Sequence, residues 1–319
     1  MPAFSPATQP TMYFIGVTTG QSSIMQVFPA WARHLGIDAV MRGIDFPPNS
    51  PPAAYCAAVD FIKADALSMG ALVTTHKLNL LRAARGRFDW LDPYAETLGE
   101  ISSISKRGAR LIGHAKDPIT AGLSLEAALQ GQGFADSGAH LLLLGSGGSS
   151  LALTLYLHNR QQAGADVPGR IIVTARTAHR LDEMRQVHAQ IGFRIPTDYV
   201  HTPAEADADA LVSALPPRSV VVNATGLGKD RPGSPLTAGA VFPQHGIVWE
   251  FNYRGDLLFL DQARAQQASR QLRIEDGWVY FLHGWTRVIA EVFAIGIPTS
   301  GPDFDVLGRI AQDATVRRA

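Results

Sequence analysis

The sequence predicts an α/β fold in two domains, and three observations predict it. Short apolar runs alternate with segments of helical spacing from residue 13 onward. One of these runs, LLLL at 141–144, is apolar at every position and ends in a glycine-rich turn. Strands of parallel sheets covered by helices on both faces read this way. The chain has 319 residues, enough for two separate cores.

The N-terminal half reads β-α-β-α-β. YFIGV (13–17) is strand-like, IMQVFPAWARHLG (24–36) has helical spacing and stops at Gly36, and DAVMRGIDF (38–46) returns to strand. PPAAYCAAVDFIKADA (51–66) is a helix whose prolines sit where a first turn tolerates them. ALVTT (71–75) and ARLIGHAKD (109–117) read as strands, and LSLEAALQGQG (123–133) as a helix ending in glycines. The texture then changes from mixed to fully apolar, which puts a domain boundary near 118–122. RIIVTART (170–177), DYVHT (198–202), SVVVNAT (219–225) and GIVWEFNY (246–253) supply four further strands. FLDQARAQQASRQ (259–271) and the apolar WVYFLHGWTRVIAEVFAIG (278–296) are helical.

Composition narrows the function classes. Lys+Arg and Asp+Glu both number 28, so the formal net charge is zero. That disfavours a nucleic-acid surface built on bulk charge and a polybasic membrane anchor. No run approaches the roughly 20 uncharged apolar residues of a membrane helix. The first residues lack a basic start followed by an apolar run, so no signal peptide and a cytoplasmic location are expected. The single cysteine, Cys56, cannot form an internal disulfide; in AAYCAAV it reads as a packing residue.

LLLLGSGGSSLAL (141–153) is the sharpest local signal. A buried strand enters a turn holding Gly145, Gly147, Gly148 and Ser149, and a helix follows. Glycine lets backbone amides approach a diphosphate closely, and the helix N-terminus offers unpaired N–H groups to the anion. Ser150 stands where G-x-G-x-x-G has its third glycine. The next strand ends in TARTAHR, with Arg176, Thr177 and Arg180 and no carboxylate before Asp182. Two guanidinium groups beside a hydroxyl suit a 2′-phosphate, where a carboxylate would suit free ribose hydroxyls. The reading is a Rossmann domain that binds NADP in preference to NAD.

Nicotinamide chemistry moves a hydride and leaves the proton to the protein. Lys77 lies between a strand end, Ala71–Leu72–Val73, and an apolar face formed by Leu78, Leu80 and Leu81. A lysine in apolar surroundings can act as acid and base; a lysine snorkelling off a helix start would give the same pattern. Asp117 closes the strand-like GHAKD just before Pro118 and the domain crossing. There a carboxylate could hold a substrate hydroxyl and position Lys77, or simply cap a turn.

The order of these segments is specific. A strand–Thr–Lys segment precedes a G-x-x-x-D strand end, an L-G-x-G-G turn, A-R-T-x-x-R, V-N-A-T-x-x-G and a late D-G before an apolar helix. Along nearly the whole chain this resembles the shikimate dehydrogenase family. The resemblance implies that Lys77 and Asp117 form the catalytic pair, and that Asn223, Ala224 and Thr225 lie beside the nicotinamide half. Phe251 and Tyr253 match the strand end that meets cofactor and substrate, and Gly277 the D-G segment. It also implies substrate contacts from Ser22, Thr74, Ser102 and Tyr253.

The departures concern the substrate. The family's H-S-x-S-P is represented by GQSSIM, with Ile24 at the second serine and Met25 at the proline. Leu72 replaces the asparagine of N-V-T-x-P-x-K, and one residue is missing before Lys77. Ser102 replaces another asparagine, Lys116–Asp117–Pro118 stands for T-D-G, and the glutamine of the last helix falls near Gly284. Ala175 takes the place of the asparagine before Arg176. His76, His114, Lys116 and His283 are candidate replacements for the lost polar contacts. A site without hydroxyl-bonding groups should favour a less hydroxylated ligand than shikimate. The expected protein is an NADP-dependent oxidoreductase of a small hydroxy acid or polyol, without a metal, acting as a monomer or homodimer. Residues 1–118 and 277–319 would form its substrate domain and 119–276 its Rossmann domain.

Overall fold

The computed structural model describes residues 4–229 and 231–316. Its contacts divide the chain into two units, Met1–Lys116 with Leu282–Ala319, and Asp117–Phe281. The sequence suggested breaks at 118/119 and 276/277.

The first unit contains β1 (Thr11–Gly16), α1 (Ile24–Leu35), β2 (Val40–Asp45), α2 (Pro52–Ala64), β3 (Ser68–Val73), α3 (Lys77–Ala84), β4 (Trp90–Leu91), α4 (Pro93–Leu98), β5 (Ser103–Arg107) and β6 (Arg110–His114). These strands form one mixed sheet in the order β2-β1-β3-β5-β6-β4, with β5 antiparallel to both neighbours. Gly70 makes the β3–β5 pairing possible. Its φ is +131°, and a Cβ there would lie 2.1 Å from the Ile104 carbonyl oxygen. One face of the sheet is filled by Tyr13, Ile15, Ala71 and Val73 against Tyr55, Val59 and Ile62 of α2 and Leu80 and Leu81 of α3. Cys56, also on α2, is half-buried, and its Sγ reaches the Ala83 carbonyl of α3 at 3.2 Å.

The second unit runs α5 (Asp117–Leu129), α6 (Phe134–Ser137), β7 (Leu141–Leu144), α7 (Gly148–Gln162), β8 (Ile171–Ala175), α8 (Ala178–Gln190), β9 (Thr197–His201), α9 (Glu205–Ser213), β10 (Val220–Asn223), β11 (Ile247–Glu250), α10 (Leu258–Arg264), α11 (Gln267–Arg270) and β12 (Arg273–Glu275). All six strands are parallel, in the order β12-β11-β10-β7-β8-β9. That is the order of doubly wound dinucleotide folds. The four leucines of β7 are fully buried between two apolar layers, as the run LLLL required. Two terminal helices follow, α12 (Trp278–Phe293) and α13 (Pro302–Val316). α13 lies against α1, where the Trp31 indole N–H donates to the Leu307 carbonyl at 2.8 Å. Among the described residues no helix is long and apolar enough to cross a membrane.

Several expectations need correction. The helix placed at 123–133 begins at Asp117 and ends at Leu129. The strand before it stops at His114, so Asp117 opens a helix instead of closing a strand. Leu78 is 51% exposed and does not belong to the apolar face; Leu80, Leu81 and Ala84 supply it. The helix read over 259–271 is two short helices, α10 and α11.

Candidate active site

The glycine turn sits where the second unit's chain changes winding direction, between β7 and β10. Gly145 has φ +106°, and a Cβ there would come within 3.1 Å of the Ala224 carbonyl oxygen and the Thr225 methyl. The Ser150 hydroxyl donates to the Gly145 carbonyl at 2.6 Å and pins the turn. Gly147 precedes α7 and Gly148 opens it, and a Cβ on either would meet nothing within 4 Å. The start of α7 has no side-chain cap and no acid in its first turn. Its first amides therefore lie beside bare backbone, the arrangement that accepts an anion. The Ser146 hydroxyl is buried with no hydrogen-bond partner, and Ser149 is half-buried in the first turn.

One strand further, Thr177 precedes α8 without making a side-chain cap, and the first turn again holds no acid. Arg176 and Arg180 are exposed on either side of it. The Arg180 guanidinium pairs with Glu183 at 2.8 Å, and the His201 ring lies 3.0 Å from the Arg176 carbonyl. This basic, uncapped helix start suits a phosphate.

On the other side of β7, the ends of β10 and β11 are tied together. Asn223 and Glu250 are fully buried. The Asn223 amide oxygen accepts from the Thr225 N–H (3.0 Å) and hydroxyl (2.6 Å), and its amide nitrogen donates to Glu250. The other Glu250 oxygen accepts from the Asn252 N–H (2.8 Å) and side-chain amide (2.6 Å). Phe251 packs between Trp249 and Tyr280, with ring centroids 4.4 and 4.8 Å away. Tyr253 lies against Phe281 at 4.7 Å, and Phe281 stacks on Trp278. Gly277 is buried and donates its N–H to the Asn252 carbonyl at 3.0 Å.

Burial pushes the Glu250 carboxyl up to about 7, against the opposing pull of its amide partners. The folded chain thus holds this proton more tightly than the unfolded chain. Unfolding releases it between pH 4.5 and 7, so stability falls as pH rises through that window and levels off above it. The expected size is about 3 kcal/mol. Urea midpoints of the wild type and Glu250→Gln measured from pH 4.5 to 8 check this: the difference should move against the wild type as pH rises.

In the first unit, Lys77 is the half-buried first residue of α3. The chain leaves β3 through Thr74, whose N–H donates to Ile15 at 2.9 Å, and Thr75, whose φ is +41°. His76 is buried; its ring nitrogens lie 2.9 Å from the Tyr55 hydroxyl and 3.0 Å from the Phe46 carbonyl. Both nitrogens are used within the core, so His76 is a brace and not a replacement substrate ligand. Ser102 is buried beside the β3 end, where its carbonyl accepts from Val73 N–H and its hydroxyl from Lys116 N–H at 2.8 Å. Ser22 closes the short turn Thr19–Gln21, which is anchored by Thr19 to Asp45. Ile24 is fully buried.

The remaining candidates are held by other groups. The Lys116 ammonium sits 2.7 Å from Glu291, which also faces Arg107 and His114 at 3.4 Å. Burial pushes His114 and His283 each down to about 4, so both are neutral at pH 7. His283 stacks flat on Phe304 at 4.5 Å. Among the described residues no group of three His, Cys, Asp or Glu side chains is arranged to hold a metal ion. Asp117 is half-buried at the first position of α5, in the second unit.

No family model matches the chain. Among curated relatives, the NADP(+) shikimate dehydrogenase of Lactococcus lactis subsp. cremoris is 27% identical over 184 residues, 57% of this chain and 60% of that protein. The corresponding Symbiobacterium thermophilum enzyme is 29% identical over 222 residues, 69% of this chain and 68% of that protein. The chain thus matches about two thirds or less of the length of these relatives. The solved structure of Aquifex aeolicus shikimate dehydrogenase superposes over 98% of this chain and 99% of its own, with a TM-score of 0.71 at 18% identity. The chain is similar to shikimate dehydrogenases in sequence and shares their fold. A ligand-free 5-ketofructose reductase of a Gluconobacter species shares the fold as well, with a TM-score of 0.67 at 17% identity over 96% of this chain and 98% of its own.

Within this shikimate dehydrogenase-like fold, sequence reasoning overlooked Glu250 and Asn252. The only signal for them was a carboxylate and an amide two residues apart at the end of an otherwise apolar strand, WEFN. It also overlooked Glu291, which lies on the last-but-one helix and far along the chain from Lys116.

Proposed function

We propose that the chain is an NADP(H)-dependent oxidoreductase acting on a secondary alcohol or its ketone in a small, cyclic hydroxy acid or polyol. The observation that carries this reading is the open glycine cradle at the uncapped start of α7, in a sheet of dinucleotide-binding order. Gly145, Gly147, Gly148 and Ser149 would hold the diphosphate, and Arg176, Thr177 and Arg180 the 2′-phosphate. Thr225 and Phe251 would flank the nicotinamide. That ring supplies or accepts the hydride. Lys77 protonates the developing alkoxide during reduction and takes the hydroxyl proton during oxidation, with Asp117 orienting the hydroxyl. Tyr253, Thr74, Ser102 and Ser22 would contact substrate. The similarity to NADP(+) shikimate dehydrogenases supports both the cofactor and the reaction class.

The buried Ile24, standing where the family has a serine, favours a substrate other than shikimate. Initial rates with NADP+ and NAD+ on a panel of cyclic hydroxy acids and polyols, with shikimate and quinate included, test the reading. Turnover with NADP+ on a panel member supports it. Fastest turnover of shikimate or quinate would restore the alternative of a rearranged but true shikimate or quinate dehydrogenase. Tight NADPH binding without any turnover would leave a non-catalytic sensor.

Gly148→Ala separates cofactor binding from folding. The new methyl meets no protein atom and removes glycine freedom from a helix, so stability should rise by a few tenths to about 1 kcal/mol. The same methyl stands where the diphosphate must approach, so NADPH affinity should fall about tenfold or more. Thermal melts and NADPH fluorescence titration measure the two effects, which should have opposite signs.

A further inference from the structure

We propose that Glu250 is the positioning residue of the nicotinamide half of the site, clamping the turns that follow β10 and β11 into one surface. This rests on the functional reading above. A dinucleotide bound at the switch point extends its adenosine half over β8 and its other half over the carboxyl ends of β10 and β11. Those two ends have no covalent link nearer than the long connection from Asn223 to Ile247. Glu250 joins them from beneath. It takes the side-chain amide of Asn223 on one oxygen, and the backbone and side-chain amides of Asn252 on the other. Asn223 in turn holds the Thr225 N–H and hydroxyl, and the Thr225 hydroxyl accepts from Leu227 N–H at 3.2 Å. The Asn252 side chain also lies 3.3 Å from the Thr225 carbonyl. The side-chain hydrogen bonds from Asn223 and Asn252 to the Thr225 turn therefore lead to one carboxyl group with no exposed surface. Its partners are all N–H donors, which match the ionised carboxylate, whereas an amide at position 250 would turn its own NH2 toward one of them. Glu250 is not placed to touch the cofactor; it acts through Thr225 and Phe251.

Binding of NADPH and of 2′,5′-ADP, the phosphorylated adenosine end alone, tests the clamp in Glu250→Gln. At pH 8, where the carboxylate is ionised, NADPH affinity should weaken about tenfold, the worth of one charge-assisted bond. Affinity for 2′,5′-ADP should be unchanged, and the emission of bound NADPH should move toward that of the free form. Equal weakening of both ligands, or of neither, overturns the clamp. Should Glu250→Gln fail to fold, Asn252→Ala carries the same comparison, and unaltered NADPH binding there overturns it. Wild-type protein that binds neither ligand sinks the functional reading itself, and the clamp with it.

Discussion

Lys77→Ala should lower turnover about a thousandfold on the substrate found by the panel, within the range expected for loss of a general acid–base. Stability should hardly move. Lys77 is the first residue of α3, where a positive charge gains nothing from the helix dipole, so its loss costs the helix no favourable dipole interaction. The polar contacts that shape the approach to α3 come from Thr74 and His76 and survive the substitution. NADPH affinity should also persist, because the glycine cradle lies in the other unit. The combination is diagnostic: a lysine that only snorkels off a helix would leave the rate intact. Lys77→Arg should be nearly as slow as alanine, since a guanidinium keeps its charge but does not give up its proton. Steady-state rates with melting curves of the same samples decide the matter, and full activity in Lys77→Ala would remove Lys77 from the chemistry.

The largest structural effect should come from Gly277→Ala. A methyl there would lie 2.2 Å from the Phe251 carbonyl oxygen and 2.6 Å from its carbon. Both are backbone atoms at the end of β11, so no side chain can swing aside. Either the start of α12 or the strand end must shift, at a cost of about 3 kcal/mol. The shift would fall on Phe251 and Asn252, and hence on the Glu250 clamp. Denaturant unfolding and NADPH titration should both register the change, in contrast to Gly148→Ala. Gly277 thus serves close packing between a helix start and a strand end, and its amide is committed to Asn252.

The second unit was legible because its chemistry follows local pattern. LLLL, the glycine turn and the helix after it are consecutive residues, and each is where periodicity and glycine geometry place it. The first unit was less so. β5 is SISKR, a polar stretch whose Ser103 and Ser105 are nonetheless buried, so its strand character comes from pairing with β3 and β6 and not from its own hydrophobicity. β4 and β12 are two and three residues long, too short for alternation to register. His76 looked like a ligand because a histidine next to Lys77 is conspicuous in sequence. Only the fold brings Tyr55 and Phe46 to its two nitrogens. Glu250 escaped notice for the same reason, since its meaning depends on a residue 27 positions earlier.

The solitary thiol of Cys56, tucked between two helices of the first unit, turns this chain into its own stopwatch. Because that sulfur is half-buried and held to a carbonyl of the neighbouring helix, its labelling rate by a disulfide reagent in native buffer, set against the rate in denaturant, reports on the packing of those two helices. No engineered probe is required, and no second sulfhydryl competes for the reagent.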